Sequence, residues 1–477
     1  MAKVRGAMSD DAVRGFPQPV HFIGIGGAGM SGIAAVLAEL GVDVRGSDLK
    51  ASRYTRLLTA AGVPVTVGHD AANLADAALV VTSSAIGEGN PELRAARAAG
   101  LPVLRRAEML ARVMELRRGI AVAGTHGKTT TSSMISHVLH KAGMDPTFLV
   151  GGELNDIGSN AGVGQGEWLV AEADESDGSL LFLRPEVAIV ANVELDHHAN
   201  YGCLDDVYDV FRRFVALLPE DGLLVLVAGS GGEELAAYTP ARVVVVGIDA
   251  GDLRAEVEHV DDRGSVFIVR DPAGESLARV ALKVPGEHNV LNALTALAVL
   301  QHAGVTPEAA APHLLTFSGA ARRFQYIGEH DGVLVVDDYA HHPTEIAATL
   351  TAAMKGGHER VIAVFQPHLF SRTRYLQREF GRALTLADEA IVTEIFPARE
   401  EPEPGVSGKL IVDAYLGERP GGPVSFLPRL SDVVACLAPR VRPGDLVLTL
   451  GAGDVFHAGE QLLATLAGQG EEAAGAE

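Results

Sequence analysis

The heptapeptide Gly124-Thr-His-Gly-Lys-Thr-Thr130 lies between a short apolar run, Ile120-Ala-Val-Ala123, and a helix-compatible segment at 131–140. Strand, glycine turn and helix together make a phosphate-binding loop. Backbone N–H groups and the helix N-terminus face the anion, Lys128 reaches the β/γ phosphates, and the Thr129 hydroxyl is placed to ligate Mg²⁺. The generic GxxxxGK[ST] pattern is not fully met, because its first glycine would fall on Val122. The flanking elements still point to a nucleoside triphosphate as ligand.

Other clusters follow other apolar runs. Gly24-Ile-Gly-Gly-Ala-Gly29 fits GxGxxG, and Asp48 ends the next strand-like run, an acid placed to meet a ribose hydroxyl. A glycine turn on a helix N-terminus accepts any diphosphate, so a nicotinamide dinucleotide and a UDP-linked substrate both fit. Glu172-Ala-Asp-Glu-Ser-Asp177 begins at the C-terminal end of a predicted strand, where a carboxylate shares the Mg²⁺ that Thr129 touches. Asn192-Val-Glu-Leu-Asp-His-His198 follows the run at 187–191, and a His there suits a second Mg²⁺ or a transferred phosphate. His288-Asn-Val-Leu-Asn292 opens an Ala-rich helical segment whose Asn side chains suit an adenine edge. Arg322-Arg-Phe-Gln325 offers guanidinium groups for phosphate oxygens. Asp337-Asp-Tyr-Ala-His-His-Pro343 and Phe365-Gln-Pro-His-Leu-Phe-Ser-Arg-Thr-Arg374 offer acids for ribose hydroxyls, and His and Arg for a small carboxylate such as an amino acid.

These clusters end apolar runs that alternate with helix-like segments, which implies parallel, doubly wound sheets in an α/β protein. Three units are predicted. Residues 20–118 form a Rossmann-like N-terminal domain that suits a dinucleotide or a UDP-linked substrate. Residues 119–322 form a central phosphate-loop ATPase-type domain. There 253–284 alternates apolar and polar residues, with turns at Asp262-Arg-Gly264 and Asp271-Pro-Ala-Gly274, so antiparallel strands are added to the parallel sheet. Residues 323–467 form a Rossmann-like C-terminal domain, and 1–19 and 468–477 are expected to be flexible. A length of 477 residues agrees with about three domains, and 47% hydrophobic residues let each bury a core. The net charge of −22 opposes nucleic-acid backbones. Two cysteines, Cys203 and Cys436, make neither a disulfide framework nor a zinc cluster of cysteines. With no signal-peptide core in 1–19 and no long apolar run, a cytoplasmic protein without membrane or nucleic-acid partner is expected, as a monomer or weak homodimer.

Taken in order, the wording HFIGIGGAGMSG at 21–32, GTHGKTT at 124–130, EADESD at 172–177 and NVELDHH at 192–198 resembles the Mur ligase family in its alanine-adding branch. The resemblance continues through HNVLNAL at 288–294, RRFQ at 322–325, DDYAHHPTEI at 337–346 and FQPH at 365–368. It implies three α/β domains and ATP-dependent joining of L-alanine to the carboxylate of UDP-N-acetylmuramate through an acyl phosphate. Gly24, Gly26, Gly27, Ala28, Gly29, Asp48, His69, Ser83 and Ser84 would hold the UDP-sugar. Gly124, Thr125, His126, Gly127, Lys128, Thr129 and Thr130, with His288, Asn289, Asn292, Arg323 and Asp338, would hold ATP as co-substrate. Thr129, Glu172 and His197 would ligate Mg²⁺ at two sites, and Lys128, Glu172, His197 and Arg323 would serve the chemical step. His341, His368 and Arg372 would face the amino acid. Two departures stand out: Leu369 replaces an Arg found in some members, and no Lys occurs between Lys141 and Lys283 to be carbamylated, as in the sister ligases. Three rival activities share parts of this pattern: a ligase attaching a whole peptide to the same sugar, an NAD oxidoreductase, and a nucleotide switch without chemistry.

Overall fold

Short runs of β-branched and apolar residues become the central strands of three sheets in the computed structural model, which describes residues 15–197, 200–398 and 400–474, with side chains to 468. The first sheet has five parallel strands in the order Val65–Val67, Val44–Asp48, Val20–Ile23, Leu79–Thr82 and Val103–Arg105. Strand order reverses around Val20–Ile23, so the glycine turn after it opens at the switch point where such sheets bind ligands. The strand that Asp48 ends begins only at Val44, because Val42 N still bonds back to Leu37 O and closes the helix Ala28–Glu39.

The second sheet has ten strands. Six parallel strands form its centre: Arg242–Gly247, Leu223–Val227, Val187–Val190, Arg118–Ala123, Trp168–Glu172 and Thr147–Leu154. Apart from the half-buried Val243, Val244 and Val245, their apolar residues are buried on both faces, as a sheet covered by helices requires. Leu253–Val260 joins Arg242–Gly247 in parallel, and with Ser265–Arg270 and Ser276–Leu282 it forms the antiparallel extension anticipated from alternation and turns. Ser159–Gly162 adds an antiparallel strand at the other edge.

The third sheet runs Gln325–His330, Val333–Asp338, Asp445–Leu450, Arg360–Phe365, Glu389–Val392 and Val424–Phe426, with only the first pair antiparallel. The helix Phe456–Ala474 carries regular structure past the boundary at 467, anchored by Leu462, Leu463 and Leu466. Residues 1–14 and 475–477 lie outside the described residues.

Apolar packing divides the molecule unequally. One continuous cluster joins Phe22, Met30 and Ile33 of the first unit to Leu149, Phe211 and Leu226 of the second, through Met109, Val113 and Met114 of the helix Arg106–Met114. The third sheet has its own clusters, one on each face. It meets the other units largely through charged and polar side chains, which is where the site lies. No described helix is long and apolar enough to cross a membrane.

Candidate active site between three domains

The buried strand Arg118–Ala123 delivers the chain into the phosphate loop, and the helix Lys128–Lys141 begins at its lysine. Gly127 has φ +81°, and a Cβ there would lie 2.7 Å from Asn292 Oδ1, so the helix Glu287–His302 packs directly on the loop backbone. Asn192 braces the loop from the other side. His126 N donates to Asn192 Oδ1 at 2.7 Å, and Asn192 Nδ2 donates to His126 O at 3.1 Å. Lys128 Nζ is turned onto Glu175, donating to both carboxylate oxygens at 3.0 and 2.9 Å. Burial works against the ammonium, but Glu175, Asp174 and Glu172 outweigh it and hold its pKa above the ordinary value.

Glu172 ends the strand Trp168–Glu172 and accepts from Gly151 N at 2.6 Å. A Cβ on Gly151 would meet Glu172 Oε2 at 2.6 Å, so this glycine leaves room for the carboxylate to lie flat against the backbone. Thr129, Glu172 and His197 line one cavity. His197 has φ +55°, an uncommon conformation for His, and its Nε2 lies 3.4 Å from Glu175 Oε1. His198 lies outside the described residues. Two oxygen donors and an imidazole in a carboxylate-rich cradle fit a hard divalent cation. Glu172→Gln should therefore raise the Mg²⁺ concentration needed for half-maximal activity steeply, and His197→Ala more mildly. Activity titrated against Mg²⁺ is the check, and an unchanged profile in Glu172→Gln would move the ligand role to Asp174 or Glu175.

Across the cleft, Arg323 lines the same cavity, with its guanidinium 5.2 Å from the Tyr339 ring centroid and Nη1 3.7 Å from Glu345 Oε1. Asp338 accepts from Phe324 N at 2.7 Å and Ala340 N at 2.8 Å, and burial pushes its pKa up to about 6. Burial also lowers His288 to about 4 and His341 to about 3, so both are neutral imidazoles offering hydrogen bonds rather than charge. His341 and His368 lie edge to face at 5.9 Å, and His368 stacks on Phe396.

Arg372 has a partner that sequence spacing did not suggest. Its Nε and Nη2 each donate to the Asp196 carboxylate at 3.0 Å, and both side chains are about 95% buried. Burial alone would raise the Asp196 pKa, but Arg372 and His197 hold it far below the ordinary carboxylate range. Only Nη1, 3.3 Å from His368 Nδ1, is turned away from Asp196. Arg372 was expected to face an amino acid. In the structure most of its guanidinium is spent tying the third domain to the second.

In the first domain, Gly26 N donates to Asp48 Oδ2 at 2.8 Å, so one oxygen of the ribose-type acid already serves the glycine turn. Ser83 lies beside Gly24, and Ser84 is exposed on the same rim. His69 Nδ1 is held by Ser47 Oγ at 3.1 Å and Glu92 Oε1 at 3.2 Å. Glu92 is fully buried and also accepts from Ser47, Asn73 and the Asp70 N–H, with His21 at 2.8 Å. Burial pushes its pKa up, but His21, Ser47 and Asn73 bring it down to about 2. A depressed carboxyl stabilises the fold fully above its ordinary value of 4.5 and loses that contribution as pH falls toward about 2. Glu92→Gln should lower the melting temperature near neutral pH, and the gap from the parent protein should narrow on acidification. A gap that does not change with pH would mean Glu92 acts only by shape.

Two cavities gather these residues. One of about 310 Å³ is lined by His126, Gly127, Thr130, His288, Asn289, Asn292, Arg323 and Asp338. A second, of about 870 Å³, is lined by Ala28, Gly29 and Arg106 of the first unit, Lys128, Thr129, Glu172 and His197 of the second, and Arg323 and His341 of the third. The Asp48, His69 and Ser83–Ser84 cluster lies outside both. So do His368 and Arg372, although His341 connects them to the larger one.

Three family models match consecutive parts of the chain: the Mur ligase family catalytic domain at 19–118, the Mur ligase middle domain at 122–300, and the Mur ligase glutamate ligase domain at 322–453. The UDP-N-acetylmuramate–L-alanine ligase of Rubrobacter xylanophilus is 52% identical over 94% of this chain and 100% of that protein. The chain belongs to the Mur ligase family. The enzyme of the same name from Renibacterium salmoninarum is 48% identical, over 95% of this chain and 97% of its own. Among solved structures, a UDP-N-acetylmuramate–alanine ligase from Thermotoga maritima superposes with TM-score 0.80 at 30% identity, covering 94% and 99% of the two chains. A murein peptide ligase from Psychrobacter arcticus gives 0.70 at 28%, covering 94% and 98%.

Several residues that shape this Mur ligase cleft escaped motif reading. Asp196 lies inside the Asn192–His198 motif, where the metal chemistry points to the His beside it, and its bond to Arg372 has no local signature. Glu345 accepts from His341 N and His342 N and lies 3.3 Å from His126, and burial is outweighed there by His341, His126 and Arg323, holding its carboxyl well below the usual range. Glu175 differs again: it lies in the Glu172–Asp177 motif expected to offer a metal carboxylate, and its own carboxylate is taken by Lys128.

Proposed function

We propose that the chain is an ATP-dependent ligase joining L-alanine to the carboxylate of UDP-N-acetylmuramate, releasing ADP and phosphate in peptidoglycan precursor synthesis. One observation carries the reading: residues of all three domains line a single cavity beside the phosphate loop. A carboxylate does not accept an amine in water near neutral pH. Transfer of the γ-phosphoryl group to it forms a carboxyl O–P bond as the γ P–O bond to ADP breaks. The alanine amine then attacks the carbonyl carbon and expels phosphate.

No Ser, Cys or Asp nucleophile is required, so the work of the chain is to position and to neutralise charge. The glycine turn and the N-terminus of the helix Ala28–Glu39 take the diphosphate of the UDP-sugar, and His69 and Ser83 lie at its rim. Lys128 leaves Glu175 for the phosphoryl oxygens, and Arg323 approaches them from the third domain. Asn289 and Asn292 line the smaller cavity as adenine contacts, and Asp338 beside them suits the ribose. His341 and His368 border the place of the amino acid. Mg²⁺ held by Thr129, Glu172 and His197 would neutralise phosphate charge during transfer.

Phosphate release should require ATP, UDP-N-acetylmuramate and L-alanine together. Release that proceeds equally without the sugar or the amino acid would leave a simple ATPase. A panel of glycine, L-serine and short peptides locates the selectivity. Discrimination against glycine should be modest, about 1–3 kcal/mol for one methyl group. Faster turnover with a peptide than with alanine would make the chain a peptide-adding ligase instead.

A further inference from the structure

We propose that His126, Glu194 and His342 form a binding site for one transition-metal dication of the Zn²⁺ or Co²⁺ class, separate from the Mg²⁺ ligands. His126 belongs to the phosphate loop, Glu194 to the segment after Val187–Val190, and His342 to the turn before the helix Pro343–Met354, so the site spans two domains. One ligand atom from each lies within 4.8 Å of the other two. His126 Nε2 and His342 Nδ1 are each 3.6 Å from Glu194 Oε2. Tetrahedral zinc with bonds of about 2.0–2.1 Å keeps its ligand atoms roughly 3.3 Å apart, so small side-chain shifts close the site.

Two further observations point to a cation. His342 is only 4% exposed and faces Glu194 with Nδ1, which also accepts from Thr344 N at 3.4 Å, and His126 Nε2, which faces Glu194 too, is buried without a hydrogen-bond partner among the described residues. Buried polar atoms are rarely left so. Outer partners are also in place. Glu345 Oε1 lies 3.3 Å from His126 Nδ1, across the ring from the free Nε2, in the carboxylate–histidine–metal order. Thr344 Oγ1 donates to Glu194 Oε2 at 2.7 Å and holds that carboxylate in place. Two imidazoles and one carboxylate select a borderline metal over Mg²⁺, which prefers oxygen.

Without a metal, the charge in this cluster is a proton. Burial opposes it, but Glu345 and Glu194 raise His126 to about 9, while burial and His126 keep its neighbour His342 near 4, with Asp196 also facing that ring. His126 and Glu194 also line the smaller cavity, so the metal site borders the place assigned to ATP. That corollary rests on the nucleotide assignment above, whereas metal binding itself does not.

The full chain, without nucleotide and in excess Mg²⁺, is titrated with Co²⁺ and read by visible absorption. An intense band of four- or five-coordinate Co²⁺ should saturate at one equivalent. His342→Ala and Glu194→Gln should each weaken binding by about 10-fold or more, and Glu172→Gln should leave it unchanged. Glu194→Gln keeps the side-chain size and decides the matter if His342→Ala folds poorly. The absence of an intense band overturns the proposal. So does a band lost in Glu172→Gln but kept in Glu194→Gln.

Discussion

Lys128→Ala is expected to lower amino-acid-dependent phosphate release by at least about 10²-fold, the usual cost of losing one group aimed at charge developing in a transition state. Binding of UDP-N-acetylmuramate should change little, because the glycine turn at 24–29 belongs to a different sheet. Calorimetric titration separates the two effects, and a sugar affinity that falls in parallel with turnover would refute this division of labour. The substitution has a second consequence. Glu175 is 2% exposed, and Lys128 is the cation that holds it, so the single variant leaves a buried carboxylate without that partner. Breaking such a pair costs about 3–5 kcal/mol, whereas removing both charges is often nearly neutral. Lys128→Ala with Glu175→Gln should therefore recover much of the lost melting temperature and none of the turnover. If turnover returns with stability, Lys128 is structural.

Arg372→Ala should raise the KM for alanine and for ATP together. The Arg372–Asp196 pair is bidentate, nearly dry, and joins a helix of the third domain to the segment that carries His197. Loss of the guanidinium strands the Asp196 carboxylate in the interface, a penalty of about 3–5 kcal/mol on bringing the domains together. Asp196→Asn should produce the same joint rise, because it breaks the tie from the other side. Steady-state kinetics with each substrate varied in turn decides the matter. If Arg372→Ala raises only the alanine KM while Asp196→Asn leaves it alone, Arg372 grips the amino-acid carboxylate and the tie is incidental.

The sequence made the strand-turn-helix units legible because each places a chemical motif directly after an apolar run. Val333–Val336 before Asp337-Asp338, and Ile120–Ala123 before the phosphate loop, are examples. Alternation with turn residues likewise exposed the antiparallel strands at 253–284. Edge strands were harder to see. Ser159-Asn-Ala-Gly162 and Gln325–His330 are short and largely polar or glycine-containing, so neither period stands out, and their pairing comes from the neighbouring strand. The polar ties were invisible for another reason. Asp196 and Arg372 are 176 positions apart, and Lys128 and Glu175 are 47 apart, so no local spacing rule joins them.

The passage between the second and third domains has a mechanical meaning. Arg322 and Phe324 both have positive φ, at 60° and 46°, without being glycine, a conformation that costs about 1–2 kcal/mol per residue. Arg322 meets this cost with bonds to Asp337, Gly451 and Gly453 and with its guanidinium over the Tyr339 and Phe456 rings, while Phe324 N is held by Asp338. All of these anchors belong to the third domain, so the link travels with that domain as part of its rigid body. The pivot is displaced to the junction before Arg322, making the linker a crank arm rather than a tether. Arg323 is mounted on that arm, so any change in the angle of the third domain would carry its guanidinium toward or away from the phosphate loop.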